Sequence, residues 1–156
     1  MASPPYTAPV ENFFWRIRRH QDILEDSERK NFYSDMIVCH LKVDRNESGR
    51  IYCTLKVDAS CANPHNTLHG GVVASVAAEV GLACAKMMAG EEFFLGEHNT
   101  AYLAAAGINA EIEVEGCILR KGRSVIVTCI NFRIKESKKL AYTTRSTYYV
   151  MPVASL

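Results

Sequence analysis

The sequence predicts an α+β domain in which one antiparallel sheet wraps around a single long helix. Three observations predict it. Val72 to Met88 carries only two charges, Glu79 and Lys86, and is otherwise Val, Ala, Leu, Met, Cys, Gly and Ser. Two runs of alternating apolar and polar residues precede it, separated by turn chemistry. Four strand-like runs follow it. A hairpin, one apolar helix and then a meander is the element order of a sheet packed on a helix.

Taken in order, residues 1–35 read as an N-terminal segment and 36–156 as the domain. Pro4, Pro5 and Pro9 mark a tail. Glu11 to Arg19 interleaves Phe13, Phe14, Trp15 and Ile17 with Arg16, Arg18 and Arg19. This is a short amphipathic helix, expected to close one end of the core, with a membrane surface or a partner as the alternative. Gln21 to Lys30 is mostly charged, a further helical turn or a loop. Met36 to Val43 alternates as a half-buried strand, Asp44 to Gly49 has turn composition, and Arg50 to Val57 alternates again, which makes a hairpin. Asn63 to Gly71 is a polar loop. The helix runs from Val72 to a stop at Gly90. Apolar residues surround it rather than forming one stripe, so burial on most sides is expected. Phe93 to Ala104, Asn109 to Leu119, Ser124 to Lys135 and Leu140 to Val150 then alternate as strands between short polar separators, an antiparallel meander.

Composition excludes several classes. At 156 residues the chain makes one domain with a sizeable core. With 48% hydrophobic and 22% charged residues it has an ordinary globular balance. A net charge of +1 and no long basic run argue against nucleic acid as a partner. No apolar run is read as reaching the ~20 residues of a membrane span. The N-terminus lacks the apolar core of a secretory signal. The six cysteines show no paired spacing for zinc and are read as reduced, buried small hydrophobes of an intracellular protein. No metal and no cofactor are expected. Ala154-Ser155-Leu156 is similar to a peroxisomal tripeptide, but its middle residue is not basic. The expected location is the cytoplasm, with the peroxisome as the alternative.

Chemistry concentrates at the start of the long helix. A helix N-terminus leaves backbone N–H groups unpaired and carries partial positive charge. Gly70 and Gly71 have no side chains to block approach, so an oxygen gaining negative charge could be stabilised there. His69 and Asn63 could add hydrogen bonds, and Glu79 is the one carboxylate between Val72 and Met88. Each feature also has a plainer reading. Gly-Gly can be a turn, the histidine can be structural, and Ser75, Glu79 and Lys86 share a helical side that could be solvated.

Asn63 followed by Leu68-His69-Gly70-Gly71, the apolar helix, Ala101-Tyr102-Leu103-Ala104, Arg120-Lys121-Gly122-Arg123-Ser124 and Lys139-Leu140-Ala141-Tyr142 occur in one order. On these blocks, over residues 36 to 151, the sequence resembles the hotdog-fold acyl-CoA thioesterases. The similar branch is the small single-domain one related to the phenylacetate-pathway thioesterase and thioesterase superfamily member 2. The resemblance implies that the Gly70 N–H polarises a thioester carbonyl, that Asn63 helps hold the attacking water and that His69 sits beside the carbonyl. It also implies that a helix carboxylate, here Glu79, acts as general base or nucleophile. Gly71, Tyr102, Leu103, Ala104, Ala105 and Tyr149 would line the substrate site. Arg120, Lys121, Gly122, Arg123 and Ser124 would meet the phosphates of CoA, with a solvated hairpin tip as the plainer reading. Such enzymes work as homodimers or homotetramers, each site built across a dimer interface.

Two departures stand out. Close relatives place the carboxylate nine residues after the motif histidine, where this chain has Ala78. One helical step turns a side chain by ~100°, which a π-bulge could absorb. Where relatives often carry Ser or Thr near the water, this chain has Leu95, with Asn99 and Thr100 close by. Asp58 and Glu97 are rival carboxylates. The alternatives to hydrolysis are a catalytically weak acyl-CoA-binding protein and a hydratase of the same fold. The acyl group stays open.

Overall fold

Alternating side chains build the sheet, and the structure, a computed structural model, describes residues 37, 39–89 and 92–151. The expected N-terminal tail and helix, the residue-35/36 boundary, the stop at Gly90 and the C-terminal tripeptide lie outside the described residues. In chain order come β1 (Leu41–Glu47), β2 (Arg50–Lys56), a 3-10 turn (Ala59–Cys61), α1 (Gly70–Ala89), β3 (Phe93–Tyr102), β4 (Glu111–Lys121), β5 (Val125–Ile134) and β6 (Leu140–Val150). The six strands form one sheet in the order β1-β2-β4-β5-β6-β3, and every neighbouring pair is antiparallel. The α+β expectation holds, and the four strands after the helix begin and end within two residues of their expected limits, but only β4, β5 and β6 form a meander: β3, expected as its first strand, pairs with β6 instead. Between β2 and β3 the chain crosses the whole sheet, and α1 is that crossing.

One face of the sheet is the core. Ile51, Cys53 and Leu55 of β2, Ile112 and Val114 of β4, Ile126, Ile130 and Phe132 of β5, and Tyr142 and Tyr148 of β6 are buried. They meet Val72, Val73, Val76, Ala77, Val80, Cys84 and Ala85 of α1. Each buried Val or Ile contributes about 1.5–3 kcal/mol relative to exposure. Contact is close enough that a Cβ on Gly116 would stand 2.6 Å from Val80 Cγ1, so β4 needs glycine there.

Four expectations are corrected. β1 begins at Leu41 rather than Met36, continues to Glu47 and is largely exposed, not half-buried. Its Asp44-Arg45-Asn46-Glu47 stretch has turn composition, but cross-strand partners hold it extended. Thr54 donates to Asp44 Oδ2 at 2.6 Å, and the Arg45 guanidinium lies 3.9 Å from the Tyr52 ring centre. The turn narrows to Ser48-Gly49, with Gly49 at φ 73°.

The helix is buried on one face, not on most sides. Gly71, Glu79, Ala83, Lys86 and Met87 are exposed on the other, and α1 is α-helical throughout, with no π turn. By length and composition Gly70–Met88 does reach the range of a membrane span, contrary to the sequence reading; here its apolar face is packed on the sheet. Finally, Cys53, Cys61 and Cys84 are buried as expected, whereas Cys39 is exposed and Cys117 and Cys129 are half-buried.

Candidate active site

The loop before α1 is held by its own polar side chains. Asp58 caps the 3-10 turn, its Oδ1 accepting from the Ser60 N–H at 2.9 Å and the Cys61 N–H at 3.4 Å. Asn63 closes the next loop. Its Oδ1 accepts from the His65 and Thr67 N–H groups at 2.9 and 3.2 Å, and its Nδ2 donates to Thr67 Oγ1 at 2.9 Å. Asn66 takes the left-handed conformation at φ 58°, which Asn tolerates better than most residues. Backbone bonds from Leu68 N–H to Ala106 O (2.8 Å) and from His69 N–H to Cys61 O (2.9 Å) fasten the loop on both sides. Asn63 therefore organises the segment that presents His69 and Gly70.

His69 is the N-cap of α1. Its carbonyl accepts from the Val72 and Val73 N–H groups, and its Nδ1 accepts from the Gly71 N–H at 3.0 Å. That bond requires an unprotonated Nδ1, so the neutral ring carries its hydrogen on Nε2. The Gly71 donor is thereby used. The Gly70 N–H has no acceptor among the described residues. It is the open donor at the positive end of a 20-residue helix.

Tyr102 braces this point from the sheet. Its hydroxyl donates to Gly70 O at 2.9 Å, and a Cβ on Gly70 would lie 3.2 Å from its ring. Tyr102 packs edge-on to Tyr142 at 5.8 Å, and Tyr142 packs on Phe132 at 5.9 Å. The Tyr142 hydroxyl accepts from the Ala106 N–H at 3.1 Å, and burial pushes its phenol pKa up. Leu103 and Ala104 both donate to Ala141 O. Tyr102 is 54% and Leu103 57% exposed, so an apolar shelf lies open beside Gly70. Asn63, His69, Gly70, Gly71 and the segment that begins at Tyr102 are thus brought together at the start of α1.

The other expected residues lie elsewhere in the chain. Glu79 is nine residues beyond Gly70, ~13.5 Å along the axis at ~1.5 Å per residue, farther than its side chain spans. Ala78, at the relatives' carboxylate position, accepts from the Tyr148 hydroxyl through its carbonyl at 2.7 Å. Glu97 pairs in register with Thr147 and accepts from its hydroxyl at 3.1 Å. Both sit on the outer face of the sheet, which removes Glu97 as a base for this site. Asp58 is committed to its cap. Leu95 is exposed on β3, at the pairing irregularity between Leu95 and Glu97.

Arg120, Lys121, Gly122, Arg123 and Ser124 stand at the opposite end of α1. Lys121 Nζ donates to Met88 O at 2.7 Å, a cation on the negative end of the helix. A cleft of about 240 Å³ there is lined by Met88, Phe93, Lys121, Gly122, Arg123, Ile126 and Val150. Twenty residues of helix separate it from Gly70 by roughly 28 Å. Tyr149 is on the outer face of β6, its ring 5.7 Å from that of Phe94. A single chain does not join these groups to Gly70.

One polar track was missed by the sequence reading. His98 Nδ1 lies 2.9 Å from Ser146 Oγ, and its Nε2 lies 3.3 Å from Thr100 Oγ1, which itself bonds Thr144 Oγ1 at 2.9 Å. Burial lowers the His98 pKa, favouring the neutral ring. Thr144 and Ser146 alternate in step with the buried Tyr142 and Tyr148 and are buried themselves, so the track lies on the core side of the sheet, and only the register of β3 on β6 brings His98 and Thr100 to it.

Comparison with known proteins fits this arrangement. A sequence model described as the Thioesterase superfamily matches residues 65–141. Human acyl-coenzyme A thioesterase 13 is 25% identical over 105 residues, covering 65% of this chain and 74% of that protein. The crystal structure of zebrafish thioesterase superfamily member 2 superposes with a TM-score of 0.72 at 21% identity, covering 92% of this chain and 97% of that one. A Streptococcus mutans protein solved with acetyl CoA bound superposes with a TM-score of 0.67 at 16% identity, covering 71% and 88%. The fold is the hotdog fold.

Proposed function

We propose that this hotdog-fold member of the thioesterase superfamily hydrolyses acyl-CoA thioesters to a carboxylic acid and free CoA, in a site shared by two copies of the chain. The observation that carries the reading is the open Gly70 N–H at the head of α1. A thioester carbonyl oxygen placed on it gains hydrogen bonding as negative charge develops, the condition for lowering the barrier rather than merely binding. Water attacks the carbonyl carbon and gives its proton to a carboxylate. The C–S bond then breaks, and the CoA sulfur leaves and takes up a proton.

The base comes from a second copy. Glu79 cannot span the helix to its own Gly70. β3 ends the sheet with one side unpaired by any strand of the described chain, and it exposes Phe94 and Leu95 at 42% and 41%. Pairing β3 with its counterpart about a two-fold axis would run the two α1 helices antiparallel, so that each helix start faces the later turns of the other. That carries the second copy's Glu79 and its Arg120 to Ser124 hairpin toward Gly70, where the cations meet the CoA phosphates. The homologous thioesterase and the acetyl-CoA complex of a structural neighbour support the substrate class.

Ala78 and the regular α1 favour one second reading, acyl-CoA binding with little hydrolysis. A thiol-release assay across short, medium, long and aryl acyl-CoAs, run with light scattering at micromolar protein, separates the two. Turnover by an oligomer is expected. Tight acyl-CoA binding without thiol release would leave the binding reading, and a monomeric mass would remove the shared site. The reduced cysteines suit the cytoplasm, with the peroxisome as the alternative location; imaging of the full chain labelled at its N-terminus tests this.

A further inference from the structure

At the 3-10 turn, His40 from ahead of β1 meets the cap residue Asp58 and the last residue of the turn, Cys61. His40, Asp58 and Cys61 each offer one ligand atom, and the three atoms lie within 4.8 Å of one another. His40 Nδ1 is 3.3 Å from Asp58 Oδ2, about the ligand-to-ligand edge of a tetrahedron with bonds of ~2.0–2.1 Å. The remaining hydrogen bonds determine what stands between them. Ser60 Oγ is 2.6 Å from Asp58 Oδ1, and a carboxylate only accepts, so the hydroxyl hydrogen is given to Asp58. The same Oγ is 3.0 Å from His40 Nε2, and having spent its hydrogen it can only accept, so Nε2 carries one. That leaves the Nδ1 lone pair facing Asp58 Oδ2. Two electron-rich atoms at this distance require a cation between them, either a proton on Nδ1 or a metal ion.

The third corner is a thiol. Cys61 Sγ accepts the Asp58 N–H at 3.3 Å within the cap of the 3-10 turn and donates to Asp58 O at 3.4 Å, a hydrogen that a metal ion would replace. We propose that His40, Asp58 and Cys61 form a zinc site whose fourth position is open to water. Imidazole nitrogen, carboxylate oxygen and thiolate sulfur in tetrahedral reach are a zinc donor set and exclude Mg²⁺ or Ca²⁺, which prefer oxygen alone. Ser60, bridging Nε2 and Asp58, holds the ring with Nδ1 toward the ion. The Cys61 thiol keeps its hydrogen, directed at Asp58 O, until metal arrives. Binding forms Zn–N, Zn–O and Zn–S bonds and releases that proton to solvent, so affinity rises with pH. The Asp58 carboxyl, 48% exposed, leaves a path from solvent. The ion would pin the start of β1 to the loop that carries Asn63, one backbone bond from His69.

The test uses the full chain, kept reduced and stripped of metal by a chelator, then titrated with Zn²⁺ in competition with a chromophoric chelator. About one equivalent should bind per chain. His40→Ala and Cys61→Ser should each weaken binding at least ~100-fold, Ser60→Ala by ~10-fold, and Cys39→Ser should leave it unchanged. Co²⁺ in the wild-type chain should give a thiolate-to-metal charge-transfer band that Cys61→Ser lacks. This spectrum decides the matter even if a variant fails to fold. No retained Zn²⁺, equal retention by Cys61→Ser, or a Co²⁺ spectrum without the thiolate band would overturn the proposal and leave a proton on His40 as the cation.

Discussion

The two ends of α1 are built in opposite ways. At the C-terminal end the Met88 carbonyl is taken by the Lys121 ammonium, and Lys86 pairs with Glu92 at 2.9 Å. At the N-terminal end His69 takes the Gly71 N–H, Tyr102 holds the Gly70 carbonyl, and the Gly70 N–H itself is left open. The negative pole meets the chain's own cation, whereas the positive pole keeps a backbone donor without an acceptor among the described residues. The difference teaches where to look for chemistry: at the helix end whose stabilising partner the fold withholds.

The sharpest way to break this contrast is Gly70→Pro, which deletes the N–H at a helix position where proline is otherwise tolerated. We expect kcat to fall by ~100–1000-fold, the scale of losing one oxyanion donor, with far-ultraviolet circular dichroism unchanged. Gly70→Ala keeps the donor and asks only that Tyr102 yield by a few tenths of an ångström, so less than ~10-fold should be lost. Equal activities in the two variants would show that the open donor is not used. Next, Glu79→Gln should keep acyl-CoA affinity and lower kcat by ~100-fold, and Ala78→Glu combined with Glu79→Ala should restore it. Unchanged turnover in Glu79→Gln would take that carboxylate out of the reaction.

At the opposite pole, Arg120→Ala with Arg123→Ala should raise KM for acyl-CoA by ~10-fold with little change in kcat, because phosphates keep their charge through the reaction. The effect should shrink in high salt and vanish with an acyl-pantetheine thioester. An equal response from both substrates would separate the hairpin from CoA. The smallest effect belongs to Lys121→Met, which removes the helix-end cation. It should cost about 0.5–1 kcal/mol in denaturant unfolding, and no loss would mean that water serves Met88 equally well.

The hairpin, the helix and the meander were legible because an inward residue every second position leaves a period that survives without coordinates. β1 was misjudged where Asp44 to Glu47 spelled a turn, since Thr54 and Tyr52 on the neighbouring strand decide the outcome and neither is local. Helix exposure was misjudged because small apolar residues on both faces of α1 look alike in sequence, and only the one-sided sheet distinguishes Val80 from Ala83. That an open backbone N–H stands at the start of α1 was readable from helix-terminus physics. That Arg120 to Ser124 stands a helix length away from Gly70 was not, because motif order along a chain contains no distances. His40, Asp58 and Cys61 escaped notice for the same reason, being of three residue types with no regular spacing.

The strand order has a consequence in time. β3 finds its sheet neighbour in β6, the last of the described strands, with Phe93 against Val150 and Tyr102 against Tyr142. During synthesis from the N-terminus, β3 emerges with no strand to lie on, and it waits for β4 and β5 to pair and for β6 to follow. Closure of this long-range pair is therefore a late event, governed by contacts far apart in sequence. The edge that would receive a second copy comes into being only after β6 has been made, so a molecule still lacking β6 has no such edge to offer.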